Sequence, residues 1–338
     1  MASTSHSETV VYNDEDANLS ILDDETVAVI GYGRQGRSQA LNMRDSGIDV
    51  IVGNRKDDSV DRAKDDGFSI FSMDEAANRA NIVFLLVPDE VAPDIYEEQI
   101  EPNLFDGNLV NFAHGYNIFY NFIEPREDLD VTMVAPKMIG AAVRDLYTEG
   151  HGAPSIVGVE QDATGDAKER ALALAKGIGA TRAGVIDGSF ETETILDLLN
   201  EQFVAPVLSN TFRTMFEVCS DKGIPPEATL LEMYLSKEYV QTFKKMAELG
   251  SVEQLELHSR TSQYGQLKRG DEFESSDIRE FMHEQYGALA NGEFAREWEQ
   301  EKEMGFPVMK RLYEQNRESE FIQAEQEAIE AFGLGSDE

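Results

Sequence analysis

Residues 26–36 read TVAVIGYGRQG, a β-rich apolar run followed at once by glycines spaced G-x-G-x-x-G at Gly31, Gly33 and Gly36. The next residues, through Ser46, carry the pattern of a helix. Glycines at those offsets permit a tight turn and let the backbone approach a pyrophosphate, which then rests on the open amides of the helix N-terminus. By itself the pattern is weak, because plain turns also carry it. Placed directly after a strand and opening a helix, it points to a dinucleotide, with Gly31, Tyr32, Gly33, Arg34, Gln35 and Gly36 as the candidate cofactor residues.

Outward from that turn, short apolar runs alternate with helical stretches. The runs are TVAVIG (26–31), DVIVG (49–53), NIVFLLVP (81–88), NLVNFA (108–113), DVTMVA (130–135) and APSIVGV (153–159). Continuous apolar strands are buried on both faces, and helices such as 73–80 between them make repeated βαβ units with a mostly parallel sheet. From about Gly188 strand signals cease, and long helices are expected over 194–219, 226–249, 275–291 and 305–332, with Pro225 and Pro226 marking a helix start. The expected fold is α/β: a doubly wound, Rossmann-like domain over 1–187 and an all-helical domain over 188–338.

The 338 residues hold 65 Asp plus Glu against 29 Lys plus Arg, a formal charge of -36. Such a charge repels phosphate backbones and anionic lipid, so nucleic acid and membrane are poor partners and a small-molecule substrate is the better expectation. It fits a surface adapted to very high salt, where screening relieves self-repulsion. Cys219 is the single cysteine, which excludes an internal disulfide. No apolar run approaches the roughly 20 residues that span a bilayer, and the N-terminus lacks a secretory h-region. A cytoplasmic location follows as the expectation.

The second strand ends Gly53-Asn54-Arg55-Lys56, whose two cations suit the 2'-phosphate of NADPH. Asp57 and Asp58 follow, and a carboxylate there suits the free diol of NADH. Both cofactors stay open. Later strand ends carry Pro88-Asp89-Glu90, Ala113-His114-Gly115 and Ala135-Pro136-Lys137, the edge where open α/β sheets bind ligands. A histidine and a lysine there would polarise a carbonyl or move protons beside a nicotinamide. In the helical half, Asp197 and Glu201 are four apart on a stripe that continues to Val204 and Leu208 and is expected to face inward. Two such carboxylates pair, protonate or bind a hard divalent cation.

Together, residues 11–55, VPDEVAPDIYEEQIEPNL, FAHGYNI, VAPK, AKGIGATRAGVI, DLLNEQ and GEFAREW resemble ketol-acid reductoisomerase, in order and at the family's spacing, over most of residues 10–300. The resemblance implies an enzyme that rearranges and reduces 2-acetolactate in branched-chain amino-acid synthesis. It implies NADPH, magnesium (one or two ions), a knotted helical domain, and a homodimer or higher homo-oligomer. It places Tyr32, Gly33, Arg34, Gln35, Arg55, Asp89, Glu90 and Gly140 at cofactor positions, His114 and Lys137 at the catalytic ones, Asp197, Glu201 and Glu232 among the metal carboxylates, and Ser259 at the substrate.

The chain departs from the family at three places. Met138-Ile139-Gly140-Ala141 replaces Gly-Pro-Gly-His after Lys137, Ser236 replaces a metal carboxylate, and Asp58 aligns with the phosphate-binding serine and leans toward NADH. Glu238, on a continuous helix, lies off the Glu232 face and does not substitute. Two other readings accompany the first: a paralogous NAD(P)H-dependent reductase of a 2-oxo acid or imine without the migration, and a non-catalytic nucleotide-binding dimer.

Overall fold

The computed structural model describes residues 9–273 and 275–334. The chain divides into two compact units, 1–197 and 198–338. In the first, nine strands among the described residues form one sheet: β1 (Val11–Tyr12), β2 (Thr26–Ile30), β3 (Asp49–Gly53), β4 (Ser69–Phe71), β5 (Ile82–Leu85), β6 (Leu109–Phe112), β7 (Asp130–Pro136), β8 (Ser155–Gln161) and β9 (Val185–Asp187). Their order is β1-β9-β8-β7-β6-β5-β2-β3-β4.

The strands β2 to β7 are mutually parallel. The direction then reverses, because β8 runs antiparallel to β7, with Pro136 opposite Ser155. The chain turns back on itself there: the intervening helix Gly140–Thr148 packs on the helix Arg34–Asp45 instead of crossing the sheet. A parallel return needs a crossover.

The central strands are mostly apolar because both faces are covered. On β2, Val27 and Val29 enter one core cluster with Leu41 and Leu172, while Ala28 and Ile30 enter the other with Met73 and Ile100. The same split on β5 sends Ile82 and Phe84 one way and Val83 and Leu85 the other. The order reverses between β2, which leads to β3 on one side, and its other neighbour β5, so a crevice opens above their carboxyl ends.

The second unit is helical, with boundaries that differ from expectation. The expected helix 226–249 breaks at Ser236 and Lys237, where Lys237 takes a left-handed φ of 60°, and resumes as Glu238–Leu249. Glu238 therefore lies beyond a break in the helix, and its angle to Glu232 is not that of a continuous helix. The expected helix 305–332 divides into Pro307–Arg317 and Glu320–Ala331, the second capped by Ser319, whose hydroxyl accepts from the Ile322 amide. Helices Arg260–Glu272 and Glu293–Glu303 form where none was expected. Periodicity measures a buried stripe, and these segments bury little.

Phe216, Leu230, Met233 and Ala328 make a small core in this unit. Val240, Phe243, Leu257, Tyr264 and Leu267 stay exposed in the single chain. The stripe expected to face inward does so only in part: Ile195 and Leu198 are buried, but Val204 and Leu208 are 48% and 40% exposed. A wide π turn at Asn200–Val204 rotates the later residues off the i, i+4 line. No helix among the described residues is long and apolar enough to cross a membrane.

Candidate active site

The glycine turn leaves β2 at Gly31, whose φ of 95° and close approach to Leu86 O, 2.6 Å from where a Cβ would sit, require glycine. Gly36 is equally constrained, since a Cβ there would meet Gly31 O at 2.0 Å. Gly33 differs: a Cβ on it would meet nothing within 4 Å. It is the N-cap of the helix Arg34–Asp45 and contributes no capping side chain, so the first amides of a twelve-residue helix receive no side-chain cap. That cradle fits a pyrophosphate.

Tyr32 turns its ring away from the cradle into the core, edge-on to Phe68, and donates its hydroxyl to Asp66 at 2.9 Å. Gln35 donates from Nε2 to Met138 O at 2.9 Å, tying the turn to the segment after Lys137. Gly140 is required by this packing, because its Cβ would lie 2.6 Å from the Arg34 carbonyl carbon.

At the end of β3, Arg55 Nε pairs with Asp57 Oδ2 at 2.8 Å, its side chain 81% exposed. Asp57 also caps the helix Asp58–Asp65, accepting from the Ser59 amide at 3.0 Å. Hydrogen bonds from Ser59 and then Arg55 hold the Asp57 carboxyl well below the usual carboxylate range. Asp58, exposed, begins the helix.

Three consecutive strand ends and one helix converge on a charged cluster. His114 follows β6, and its Nδ1 lies 3.1 Å from Asp89 Oδ2, which follows β5. Lys137 follows β7, its Nζ 2.5 Å from Glu193 Oε1 and 2.9 Å from Asp197 Oδ1 on the helix Phe190–Leu199. Glu193, with a side chain 1% exposed, also accepts from the Gly115 amide at 2.8 Å. His114 Nε2 stands 3.7 Å from Asp197 Oδ2 and 3.9 Å from Glu193 Oε2.

Burial presses His114 toward its neutral form, but the Asp89 hydrogen bond and the charges of Asp89, Glu193 and Asp197 outweigh it and raise its pKa. Burial likewise opposes the charge on Lys137, and the attraction of Glu193 with hydrogen bonds from both carboxylates raises its pKa above the ordinary lysine value. Lys137 is therefore an ammonium at neutral pH.

Glu193 escaped the sequence reading. Its signal is spacing, since Glu193, Asp197 and Glu201 form an i, i+4, i+8 ladder, but Glu193 sits in the polar stretch ETET ahead of the apolar stripe. Donor atoms of His114, Glu193 and Asp197 all lie within 4.8 Å of one another. Carboxylate oxygens in that arrangement suit a hard divalent cation, so the residues present fit magnesium.

In the second unit Glu201 is exposed on the π turn Asn200–Val204 and Glu232 is exposed on the π turn Leu231–Leu235. Ser259 caps the helix Arg260–Glu272, accepting from the Ser262 amide at 3.3 Å. Glu90 follows Asp89 after β5 and is partly buried.

Comparison with known proteins supplies the context for this cluster. Residues 21–184 match the family described as "Acetohydroxy acid isomeroreductase, NADPH-binding domain". Residues 190–332 match "Ketol-acid reductoisomerase, C-terminal domain". The chain is 46% identical over 309 residues to "Ketol-acid reductoisomerase (NADP(+))" of Methanopyrus kandleri, covering 90% of this chain and 93% of the relative. It is 42% identical over 317 residues to "Putative ketol-acid reductoisomerase 3" of Saccharolobus solfataricus, covering 92% and 95%. A solved structure of an NADH-preferring ketol-acid reductoisomerase from an uncultured archean superposes with a TM-score of 0.89 at 39% identity, covering 94% of this chain and 98% of that one.

Proposed function

The chain thus belongs to the ketol-acid reductoisomerase family, and from that premise we propose how its residues divide the work. It is a nicotinamide-dependent oxidoreductase that takes a 2-acetolactate-type substrate through alkyl migration and reduction in branched-chain amino-acid biosynthesis. The observation that carries the residue assignment is the meeting of His114, Lys137, Glu193 and Asp197 above the carboxyl edge of β5, β6 and β7.

Gly31, Gly33 and Gly36 shape the cradle for the cofactor pyrophosphate, Arg34 and Gln35 flank it, and Gly140 keeps the neighbouring segment close. Glu193 and Asp197 would hold magnesium, and by the family's pattern Glu201 and Glu232, the latter from a second copy of this chain, would supply further carboxylates. When bound, the dication withdraws charge from the substrate oxygens and the reduced nicotinamide donates the hydride. Lys137 keeps its protons and offers Nζ–H donors to negative charge growing on an adjacent oxygen. His114 receives or returns a proton at Nε2, the ring nitrogen that faces the carboxylates. By the same family pattern Ser259 would contact the substrate. Asp197→Asn is expected to weaken magnesium binding at least tenfold, about the effect of losing one anionic ligand partner, while cofactor affinity measured by calorimetry stays within about twofold. Equal loss of both would assign Asp197 a structural role.

For the cofactor, Arg55 is already paired with Asp57, and the exposed Asp58 stands where a phosphate-binding serine is usual. This favours the free diol of NADH. Asp58→Ser removes a like charge and is expected to shift the ratio of kcat/KM values about tenfold toward NADPH, some 1.4 kcal/mol. An unchanged ratio would take Asp58 out of cofactor selection.

The exposed apolar side chains of the second unit support a homodimer or higher homo-oligomer, and the charge of -36 supports a cytoplasmic, salt-adapted protein. The deciding experiment compares 2-acetolactate with its already rearranged 3-hydroxy-2-oxo isomer, in high salt, with and without magnesium. Turnover of both is expected. Ser236, a neutral side chain in place of a carboxylate, favours the second reading, and activity on the isomer alone would establish reduction without migration.

A further inference from the structure

The geometry points to Asp89 as the positioning residue of His114, accepting the Nδ1 proton and so leaving Nε2 as the nitrogen aimed at the substrate. The inference rests on the assignment of His114 as the proton-handling group. Asp89 was expected among the cofactor residues; the structure engages its carboxylate elsewhere.

Adjacent parallel strands bring the two residues together: Asp89 lies four past the last residue of β5 and His114 two past that of β6. Oδ2 of Asp89 meets His114 Nδ1 at 3.1 Å. Its other oxygen is also taken, since buried Asn117 donates from Nδ2 to Asp89 Oδ1 at 3.3 Å and to the Asp89 carbonyl at 3.2 Å. Asn117 sits on the short helix Tyr116–Phe119, so the segment that carries His114 closes on Asp89 from both ends. The imidazole stacks on Tyr116, with centroids 5.9 Å apart and planes at 26°, which restricts its rotation.

The far nitrogen completes the case. His114 Nε2 is buried without a hydrogen-bond partner, and its distances of 3.7 and 3.9 Å to Asp197 and Glu193 exceed hydrogen-bond range. A ring whose Nδ1–H is committed to a carboxylate has one acceptor left, at Nε2. Carboxylate–histidine pairs fix the tautomer and the aim of the ring in this way. Among the described residues Nε2 has no hydrogen-bond partner in either role, so the nitrogen that Asp89 leaves free is the one a substrate group can engage.

The test uses the full-length protein labelled with 15N-histidine and observed by NMR at alkaline pH, where the rings are neutral. The chain has five histidines, and His114→Gln assigns the signal. Wild type is expected to show His114 as the Nδ1–H tautomer. Asp89→Ala should release it toward the Nε2–H form that free imidazoles prefer, whereas Asp89→Asn, which keeps an oxygen acceptor, should retain the wild-type tautomer. Asn117→Ala should act in the direction of Asp89→Ala, less strongly. In turnover of 2-acetolactate, Asp89→Ala should lower kcat on the order of 10–100-fold, with Asp89→Asn recovering part of it and cofactor KM within about twofold throughout. An Nε2–H tautomer in wild type overturns the proposal. So does a rise in cofactor KM with kcat unchanged, which returns Asp89 to the cofactor. If wild type fails to turn over 2-acetolactate, the reaction assignment fails, and the tautomer spectra still decide between Asp89 and a role elsewhere.

Discussion

Gly33→Asp is expected to remove cofactor binding while leaving the fold intact. The backbone at Gly33 has φ of -79°, which any residue adopts, and a Cβ there meets nothing within 4 Å, so the aspartate causes no strain. At this N-cap an aspartate brings its carboxylate to the first amides of the helix, the groups a pyrophosphate would use. At about 4 Å from a pyrophosphate and an effective dielectric near 20, the repulsion is about 4 kcal/mol, or roughly 10³-fold in Kd. Fluorescence titration with reduced nicotinamide should show that loss with a melting temperature close to wild type. Gly36→Ala makes the contrast. Its Cβ would sit 2.0 Å from Gly31 O, so the turn must move, and a destabilisation of about 1–3 kcal/mol is expected before any ligand is added. Cofactor affinity unchanged in Gly33→Asp would remove the turn from the assignment.

Lys137→Ala is expected to have the next largest effect, on chemistry and stability together. The ammonium is shared by Glu193 and Asp197, whose carboxylates otherwise face one another across the cluster. Glu193 is almost wholly buried, and stripping a partner from a buried charge costs about 3–5 kcal/mol. Here the figure is nearer 1–2 kcal/mol, because the side chains of Lys137 and Asp197 are each about a third exposed and Glu193 keeps the Gly115 amide. Turnover should fall about 10²–10⁴-fold, the range for loss of a group that stabilises developing charge or moves a proton. Magnesium should raise the melting temperature of Lys137→Ala more than that of wild type, since a dication replaces the missing charge. Equal shifts in the two proteins would separate the lysine from the metal site.

Much of this was legible in one dimension. The stretch 26–36 located β2, the turn and the helix after it, because burial on both faces leaves a continuous apolar strand and only glycine tolerates the conformation at 31 and the contact at 36. His114 and Lys137 stood out as polar residues just past apolar runs. Asp197 stood out by motif. The short strands 69–71 and 185–187 left no trace, being three residues each, and the helix 226–249 looked unbroken because periodicity does not register a left-handed residue such as Lys237.

What the chain order alone determined is which segments must be covered, since the pattern of apolar residues is a local record of burial and a turn's glycines are a local record of sterics. What only the tertiary structure decided is which charges meet. Lys137 and Glu193 are 56 residues apart and Asp89 and His114 are 25 apart. Their pairing depends on β5, β6 and β7 lying side by side and on the helix Phe190–Leu199 presenting its polar edge to them. An ion pair lowers free energy only through distance, and distance between remote residues is a property of the packed sheet.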